Sequence, residues 1–378
     1  MNILYFDNSA TTRVKEEVLK EMIPYFSDEY GNPSSAYSIG RNNKKAIEEA
    51  RKKVAELIGA KPKEIYFTSS GSESDNTALK GYALANRKEG NHIITSKIEH
   101  PAILESCKTL EKIGFKITYL DVDKEGIVDV QQLRKSINKE TILISIMYAN
   151  NEIGTIQPIE EISKIARANN IVLHTDAVQA VGNIEINVEK DKSGMLSLSG
   201  HKFYGPKGIG ALYVKDGIEF DRFVDGGHQE KNKRAGTENV PGIVGMGKAA
   251  ELAKNNLPKH TKHLQEIRDY YIEQIESNMV GVKLNGSRTN RLPGNCNFSF
   301  AGIEANAILY DLDQKGICVS TGSACSSGDD NPSHVLTSIG LDKEWINGSI
   351  RTTFGEENTK EDIDILVKAI RESIQAFM

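Results

Sequence analysis

The chain has 378 residues, 39% of them hydrophobic and 26% charged, and 47 basic against 52 acidic side chains leave a net charge of −5. That length exceeds what one small core fills, so a large domain and a smaller one are expected. The balance of charge offers no broad basic field for nucleic acid or anionic lipid. No run reaches the roughly 18 apolar residues of a membrane span, and the opening MNILYFDNSATT lacks the pattern of a signal peptide. Cys107, Cys296, Cys318 and Cys325 contain no CxxC pair. A cytoplasmic chain in a reducing compartment, without disulfide framework or structural metal, is therefore expected.

In chain order, residues 44–58 (KKAIEEARKKVAELI) set Ile47, Ala50, Val54 and Leu57 three to four residues apart, which predicts an amphipathic helix. Short apolar runs of strand length follow at 64–69, 92–97, 142–150, 171–177 and 195–200, and GIGALYV (208–214) reads as one more strand. Helical patterns at 73–88 and 159–169 lie between them, an alternation that calls for crossover connections and a mostly parallel α/β sheet. The runs are continuously apolar, as strands covered on both faces must be. Past Pro258 the pattern changes to a long polar helix at about 259–278, strand-like NFSF and ICVS around a helical stretch, and a charged helix from about 359. Residues 14–255 thus read as the large domain, and residues 1–13 with 256–378 as a smaller α+β domain.

Four segments carry chemistry. FTSSGSESDN (67–76) runs from a strand through a small-residue turn into a helix, and backbone amides there with the hydroxyls of Ser70 and Ser72 make a cup for a phosphate. Ser70 with Glu73 also spells a plain capping box, and the two readings are compatible. No GK[ST] follows, which argues against a nucleoside triphosphate. IVLHTDAVQA ends an apolar strand on Asp176, where a carboxylate either pairs with a protonated pyridine nitrogen or caps a helix. In MLSLSGHKFYGPKGIG, Lys202 follows a strand among Ser199, Gly200 and His201, a setting suited to a Schiff-base amine, with Lys207 as its rival. VSTGSACSSGDD (319–330) places Cys325 in a run of Gly, Ser and Asp that reads as a loop, unlike the apolar settings of the other three cysteines. Arg351 in SIRTTFG suits a carboxylate grip or a surface ion pair, and His100 in KIEHPAI stacks on a ring, shuttles a proton as a catalytic group, or is a core histidine.

Taken together, YFDNSATT, GNPSS, TSSGSESDN, EHPA, NNEIG, DAVQ, SGHKFYGPKGIG, RAGTEN, STGSAC and SIR, in that order through nearly the whole chain, resemble the cysteine desulfurases. These are the NifS/IscS-like branch of the class V aminotransferases, pyridoxal-phosphate (PLP) enzymes of fold type I. The resemblance implies that Lys202 holds PLP, that Asp176 pairs with its pyridine nitrogen, and that Gln179 and Asn151 lie near its phenolic oxygen. It implies that His100 stacks on the ring and that Gly71, Ser72, Ser199 and His201 hold the phosphate. Thr237 matches a residue reaching the phosphate of a neighbouring subunit, so a homodimer is implied. Arg351 would hold the carboxylate of L-cysteine, with Asn8 and Asn151 lining the substrate side, and Cys325 would take the sulfur as a persulfide. The seven-residue step from Cys325 to Pro332 resembles the long-loop group, which implies delivery to an acceptor protein such as an iron–sulfur scaffold or a tRNA-thiolation protein.

Tyr37, His228 and Lys231 depart from the family's usual histidine, glycine and arginine, which touches the dimer-side loops and the entrance rather than the chemical positions. Transamination or selenocysteine cleavage on the same scaffold, and a noncatalytic PLP-binding scaffold, are the other readings. The loop thiol of Cys325 speaks against a transaminase, and the joint presence of Lys202, Arg351 and Cys325 against a scaffold.

Overall fold

The computed structural model describes residues 3–321 and 332–377, and Cys325 lies outside the described residues. Its strands are β1 (Leu4–Tyr5), β2 (Ile65–Thr68), β3 (His92–Ser96), β4 (Lys116–Leu120), β5 (Thr141–Ser145), β6 (Val172–Asp176), β7 (Met195–Ser199), β8 (Gly210–Val214), β9 (Val282–Leu284), β10 (Asn295–Phe300), β11 (Ile317–Cys318) and β12 (Ser349–Thr353). β2 to β8 form one sheet in the order β2-β8-β7-β6-β5-β3-β4. The ladders from β4 through β3, β5 and β6 to β7 are parallel, and β8 is antiparallel to both β7 and β2. The ten residues between β7 and β8 are too few for a crossover helix, so the chain returns antiparallel. That short return is the segment carrying Lys202.

Helices cover both faces of this sheet, as its continuously buried strands require. The predicted amphipathic helix spans Ser38–Leu57 and puts Ile47, Ala50, Val54 and Leu57 into one core with Phe67, Leu196 and Leu198. The Pro101–Lys112 helix joins a second core with Ile93, Leu143 and Leu212, and the Ile159–Ala168 helix a third with Ile94, Ile144 and Leu173. The apolar run 142–150 leaves the regular ladder after Ser145, yet the N–H groups of Ile146 and Tyr148 still donate to the carbonyls of His174 and Asp176. It therefore delivers Asn150 and Asn151 to the C-terminal edge of the sheet.

The expected helix after Pro258 proves to be the second half of one 39-residue helix, Val240–Asn278, that runs through this proline. Proline costs an internal hydrogen bond, but packing on both sides outweighs it. The first half lies so close to the Ser38–Leu57 helix that a Cβ on Gly247 would come within 2.6 Å of Ala50. The second half sends Leu264, Ile267, Tyr271 and Ile275 into a separate core with Phe298, Ile350 and the Lys360–Phe377 helix. The antiparallel sheet β9-β10-β12 belongs to that second core. β1 pairs with β11, and Asp7 bridges to Thr353 at the end of β12. Residues 7–12 thereby pass from the smaller sheet toward the segment that bears Lys202. No helix among the described residues is long and apolar enough to cross a membrane.

Candidate active site

β6 and β7 are neighbouring parallel strands, and the chain leaves their C-terminal ends at Asp176 and Ser199, where ligands bind in open α/β sheets. Asp176 is 6% exposed, and its Oδ1 accepts the N–H of Val178 at 3.0 Å. Burial pushes its acid form up, while the charges of His100 and Lys202 and the Val178 N–H pull the other way. His100 caps the Pro101–Lys112 helix, with Nδ1 accepting the N–H of Ala102 at 3.1 Å; burial lowers the pKa of its imidazole and the charge of Asp176 opposes that. Ligand atoms of Asp75, His100 and Asp176 all lie within 4.8 Å of one another.

Lys202 sits one short turn beyond β7. Its Nζ donates to the carbonyl of Ser9 and, at 2.9 Å, to that of Ala10. Gln179 Nε2 donates to the same Ser9 carbonyl at 3.0 Å, and Ser9 N–H donates to Thr353 Oγ1 at 2.9 Å. Asn8, Gln179 and Lys202 line one small cavity of about 30 Å³ together with Asn295 and Thr353. His201 points to the other side of that segment: its Nδ1 lies 3.1 Å from Thr11 Oγ1, and burial followed by the charges of Lys202 and Lys207 depresses its pKa to about 4.

The small-residue turn 69–72 leads from β2 into the Gly71–Asn76 helix as the pattern predicts. Ser70 Oγ caps the helix by accepting Glu73 N–H at 3.1 Å, while Glu73 Oε2 reaches one residue past the cap and accepts Ser69 N–H at 2.8 Å, a variant of the expected capping box. Arg234 clamps the same glutamate at 2.9 Å. The helix start also lies tight against the strand ends: a Cβ on Gly71 would meet Val178 at 2.7 Å and Ser199 at 3.5 Å, and one on Gly210 would meet the Ser70 backbone at 2.5 Å. Space at this turn is thus available only to glycine, which keeps the amides of Gly71 and Ser72 next to Ser199.

On the opposite wall, Arg351 of β12 is 2% exposed, donates from Nη2 to Asp7 Oδ1 at 2.7 Å and from Nη1 to the Asn151 carbonyl at 3.3 Å. Asn295 Nδ2 reaches that carbonyl as well, at 3.3 Å, and Asn8 Nδ2 donates to the Thr353 carbonyl at 2.9 Å. The structure therefore brings His100, Asp176, Gln179, Lys202, Asn8, Asn151 and Arg351 to the meeting line of the two sheets. Thr237 is exposed and lines a different cavity, of about 130 Å³, with Ser69, Arg234 and Asn239. Cys325 lies outside the described residues. Asp7, Ser9, Ala10, Asp75, Glu99 and His174 surround these residues and are not singled out from the sequence; the first three lie in YFDNSATT, Asp75 in TSSGSESDN and Glu99 in EHPA, and that position in a motif is the signal that marks them.

A buried carboxyl, an imidazole, an amine held by carbonyls and a glycine-lined helix start fit the chemistry of a phosphorylated pyridine aldehyde. Comparisons with known proteins agree. The family model described as Aminotransferase class-V matches residues 4–366, and the chain belongs to that family. A protein of Clostridium botulinum named "Cysteine desulfurase IscS" is 53% identical over 374 residues, which cover 98% of this chain and 94% of the relative. One of the same name from Dictyoglomus turgidum is 54% identical over 372 residues, covering 98% and 94%. A solved structure entitled "NifS-like protein" is 39% identical, covers all of both chains and superposes with a TM-score of 0.94. Another, "SspA in complex with cysteine", is 38% identical, covers 94% of this chain and 100% of that one, and has a TM-score of 0.83. Within the class V family the chain is therefore a member of the cysteine desulfurase branch, with the fold type I architecture of that PLP-dependent family.

Proposed function

We propose that this chain takes sulfur from L-cysteine with the help of PLP, leaves L-alanine, and carries the sulfur as a persulfide on Cys325 to an acceptor protein. The supporting observation is the convergence of Lys202 and Asp176, at the ends of adjacent strands, with Arg351 on the facing sheet. In this reading residues 14–255 form the domain that binds PLP, and residues 1–13 and 256–378 the domain that brings the thiol. The protein works in the cytoplasm as a homodimer, with Thr237 reaching the neighbouring subunit's phosphate.

When bound, PLP supplies an electron sink for the bond electrons released at the α-carbon. Lys202 would hold the cofactor through its amine and, when that amine is free, would take the α-proton. Asp176 would pair with the pyridine nitrogen, His100 would lie against the ring, and Gln179 and Asn151 would serve its phenolic oxygen. Gly71, Ser72, Ser199 and His201 would hold the phosphate. Arg351 grips the substrate carboxylate with its planar fork, with Asn8 and Asn151 beside it. Cys325 thiolate attacks the substrate sulfur; the new S–S bond forms as the C–S bond breaks, the β-carbon takes up the proton that the Cys325 thiol gave up, and return of the α-proton to the α-carbon completes alanine.

The test is mass spectrometry of the full chain after L-cysteine is added. One extra sulfur on the peptide carrying Cys325, with alanine in solution, is expected, and both disappear in Lys202→Ala. A yellow protein that yields neither product overturns the reading. The acceptor is found by pairing persulfidated protein with an iron–sulfur scaffold or a tRNA-thiolation protein and following where the sulfur goes.

A further inference from the structure

Beneath the cleft lies a second carboxyl that no step above uses. Asp75, in the Gly71–Asn76 helix, is 1% exposed and lies within 4.8 Å of both Asp176 and His100. Its Oδ1 has no hydrogen-bond partner among the described residues. We infer that Asp75 is a neutral carboxylic acid, a positioning residue whose proton lets the neighbouring Asp176 alone carry the negative charge; this rests on the reading of Asp176 as the partner of the pyridine nitrogen.

Two carboxyls this close and this buried do not both ionise, so the question is where the proton sits. Asp176 has what an anion needs: the N–H of Val178, and Lys202 and His100 facing it. Asp75 has no such support. His174 Nε2, from β6, stands 3.8 Å away, but His174 is fully buried between the hydroxyls of Ser145 at 2.9 Å and Ser197 at 3.0 Å, and burial drives its pKa down to about 3. Ser197, from β7, gives Asp75 its hydrogen-bond neighbour, and the remaining charged group facing it, Glu99, is another buried carboxyl. Burial and then Asp176 both push the Asp75 acid well above the ordinary carboxyl range. The Ser197 hydrogen bond alone favours an anion on Asp75, and burial with the charge of Asp176 outweighs it, which leaves the anion on Asp176 and the proton on Asp75.

The test is infrared spectroscopy of the full chain at neutral pH with aspartate labelled by 13C in its carboxyl group, first without and then with PLP. A labelled band of a protonated carboxyl is expected in both states and is lost in Asp75→Asn. Because the first measurement needs no cofactor, it separates this inference from the PLP reading, which fails by itself if PLP does not bind. In the loaded protein, Asp75→Asn is expected to keep cofactor affinity within about twofold. It should also remove an alkaline inflection from the pH titration of the bound cofactor's absorbance, which loss of a merely structural contact would leave in place. Absence of the labelled band in the parent overturns the inference whether or not the variant folds. A band that appears only after a chelator is added also overturns it, by placing a metal ion where the proton is assigned.

Discussion

Asp7 and Arg351 form an ion pair across the line where the two sheets meet, 344 residues apart in the chain: Nη2 lies 2.7 Å from Oδ1, and the side chains are 16% and 2% exposed. The arginine assigned to the substrate carboxylate is thus already balanced by a carboxylate of the protein, and Asp7 keeps a buried guanidinium aimed along the wall.

Asp7→Asn keeps the shape and removes the charge. Loss of one partner of a buried pair costs about 3–5 kcal/mol, and the partial exposure of Asp7 discounts the expected loss to about 2–3 kcal/mol in a urea titration. A carboxylate ligand replaces part of the missing charge, so L-alanine should raise the Tm of the variant more than that of the parent. An equal rise in both would show that Arg351 does not meet the ligand's carboxylate.

The elements that build the cleft are legible in the sequence because they obey simple periods. β3, β5, β6 and β7 are short runs rich in Ile, Leu, Val and small residues and are buried nearly throughout, and the Ser38–Leu57 helix carries an apolar stripe. Pro258 misleads because local propensity yields to packing on both halves of its helix. β12 is hidden because its residues Ser349, Arg351, Thr352 and Thr353 are polar yet buried, held by a sheet and by the N-terminal segment. The roles of Asp75, Glu99 and His174 are invisible for the same reason: what makes each one matter is a partner from another strand or helix. Lys202 and Asp176 stand out because a strand end followed by glycine or a small-residue turn is itself a local signal.

Arg51 and Glu230 are a second buried pair, bidentate at 2.7 and 2.8 Å with side chains 4% and 3% exposed, and Glu230 also accepts the N–H of Phe67 at 2.9 Å. Glu230, Lys231 and Asn232 all have positive φ, of 44°, 57° and 66°, in a turn that this pair pins to β2. Lys231, the departure noted in the sequence, donates to the Lys63 carbonyl at 2.8 Å and lies 5.0 Å over the Tyr66 ring, while His228 Nδ1 lies 2.6 Å from Asn232 Oδ1. Arg51→Met should cost about 3–5 kcal/mol in stability. Adding Glu230→Gln should recover part of that, because the second change removes the stranded charge. Additive losses in the double-mutant cycle would show that the pair contributes no coupling.

Gly210→Ala tests the helix start. The new methyl would sit 2.5 Å from the carbonyl carbon of Ser70, a backbone atom that cannot swing aside, so the turn 69–72 must move as a unit. Expected are a loss of about 1–3 kcal/mol in stability and a PLP affinity at least tenfold weaker, read by fluorescence quenching on titration. Gly217→Ala is the control: its φ of 91° is strained for alanine, but nothing lies within 4 Å of the added carbon, so stability falls while PLP affinity stays. Unchanged affinity in Gly210→Ala would remove the turn from the phosphate site.

Glu99 sets the alkaline limit of stability. It is fully buried, with Oε1 accepting Ser96 Oγ at 2.6 Å and Met147 N–H at 3.0 Å, and burial raises its pKa from 4.5 to about 8. The folded chain therefore binds this proton more tightly than the unfolded one. The contribution is complete below pH 4.5 and falls as pH rises toward 8, by at most about 1.4 kcal/mol per pH unit. His174 has the opposite sign: its folded pKa of about 3 lies below its ordinary 6.5, so its contribution is complete above pH 6.5 and falls as pH drops toward 3. Glu99→Gln keeps the Oε1 acceptor and has no proton to lose, so its urea stability should decline less steeply than the parent's as pH rises from 4.5 to 8. Below pH 4.5, where Glu99 is protonated folded and unfolded, the loss governed by His174 should be the same in both. A parallel decline of the two proteins on the alkaline side would assign that limb to another group and leave Glu99 ionised in the folded chain.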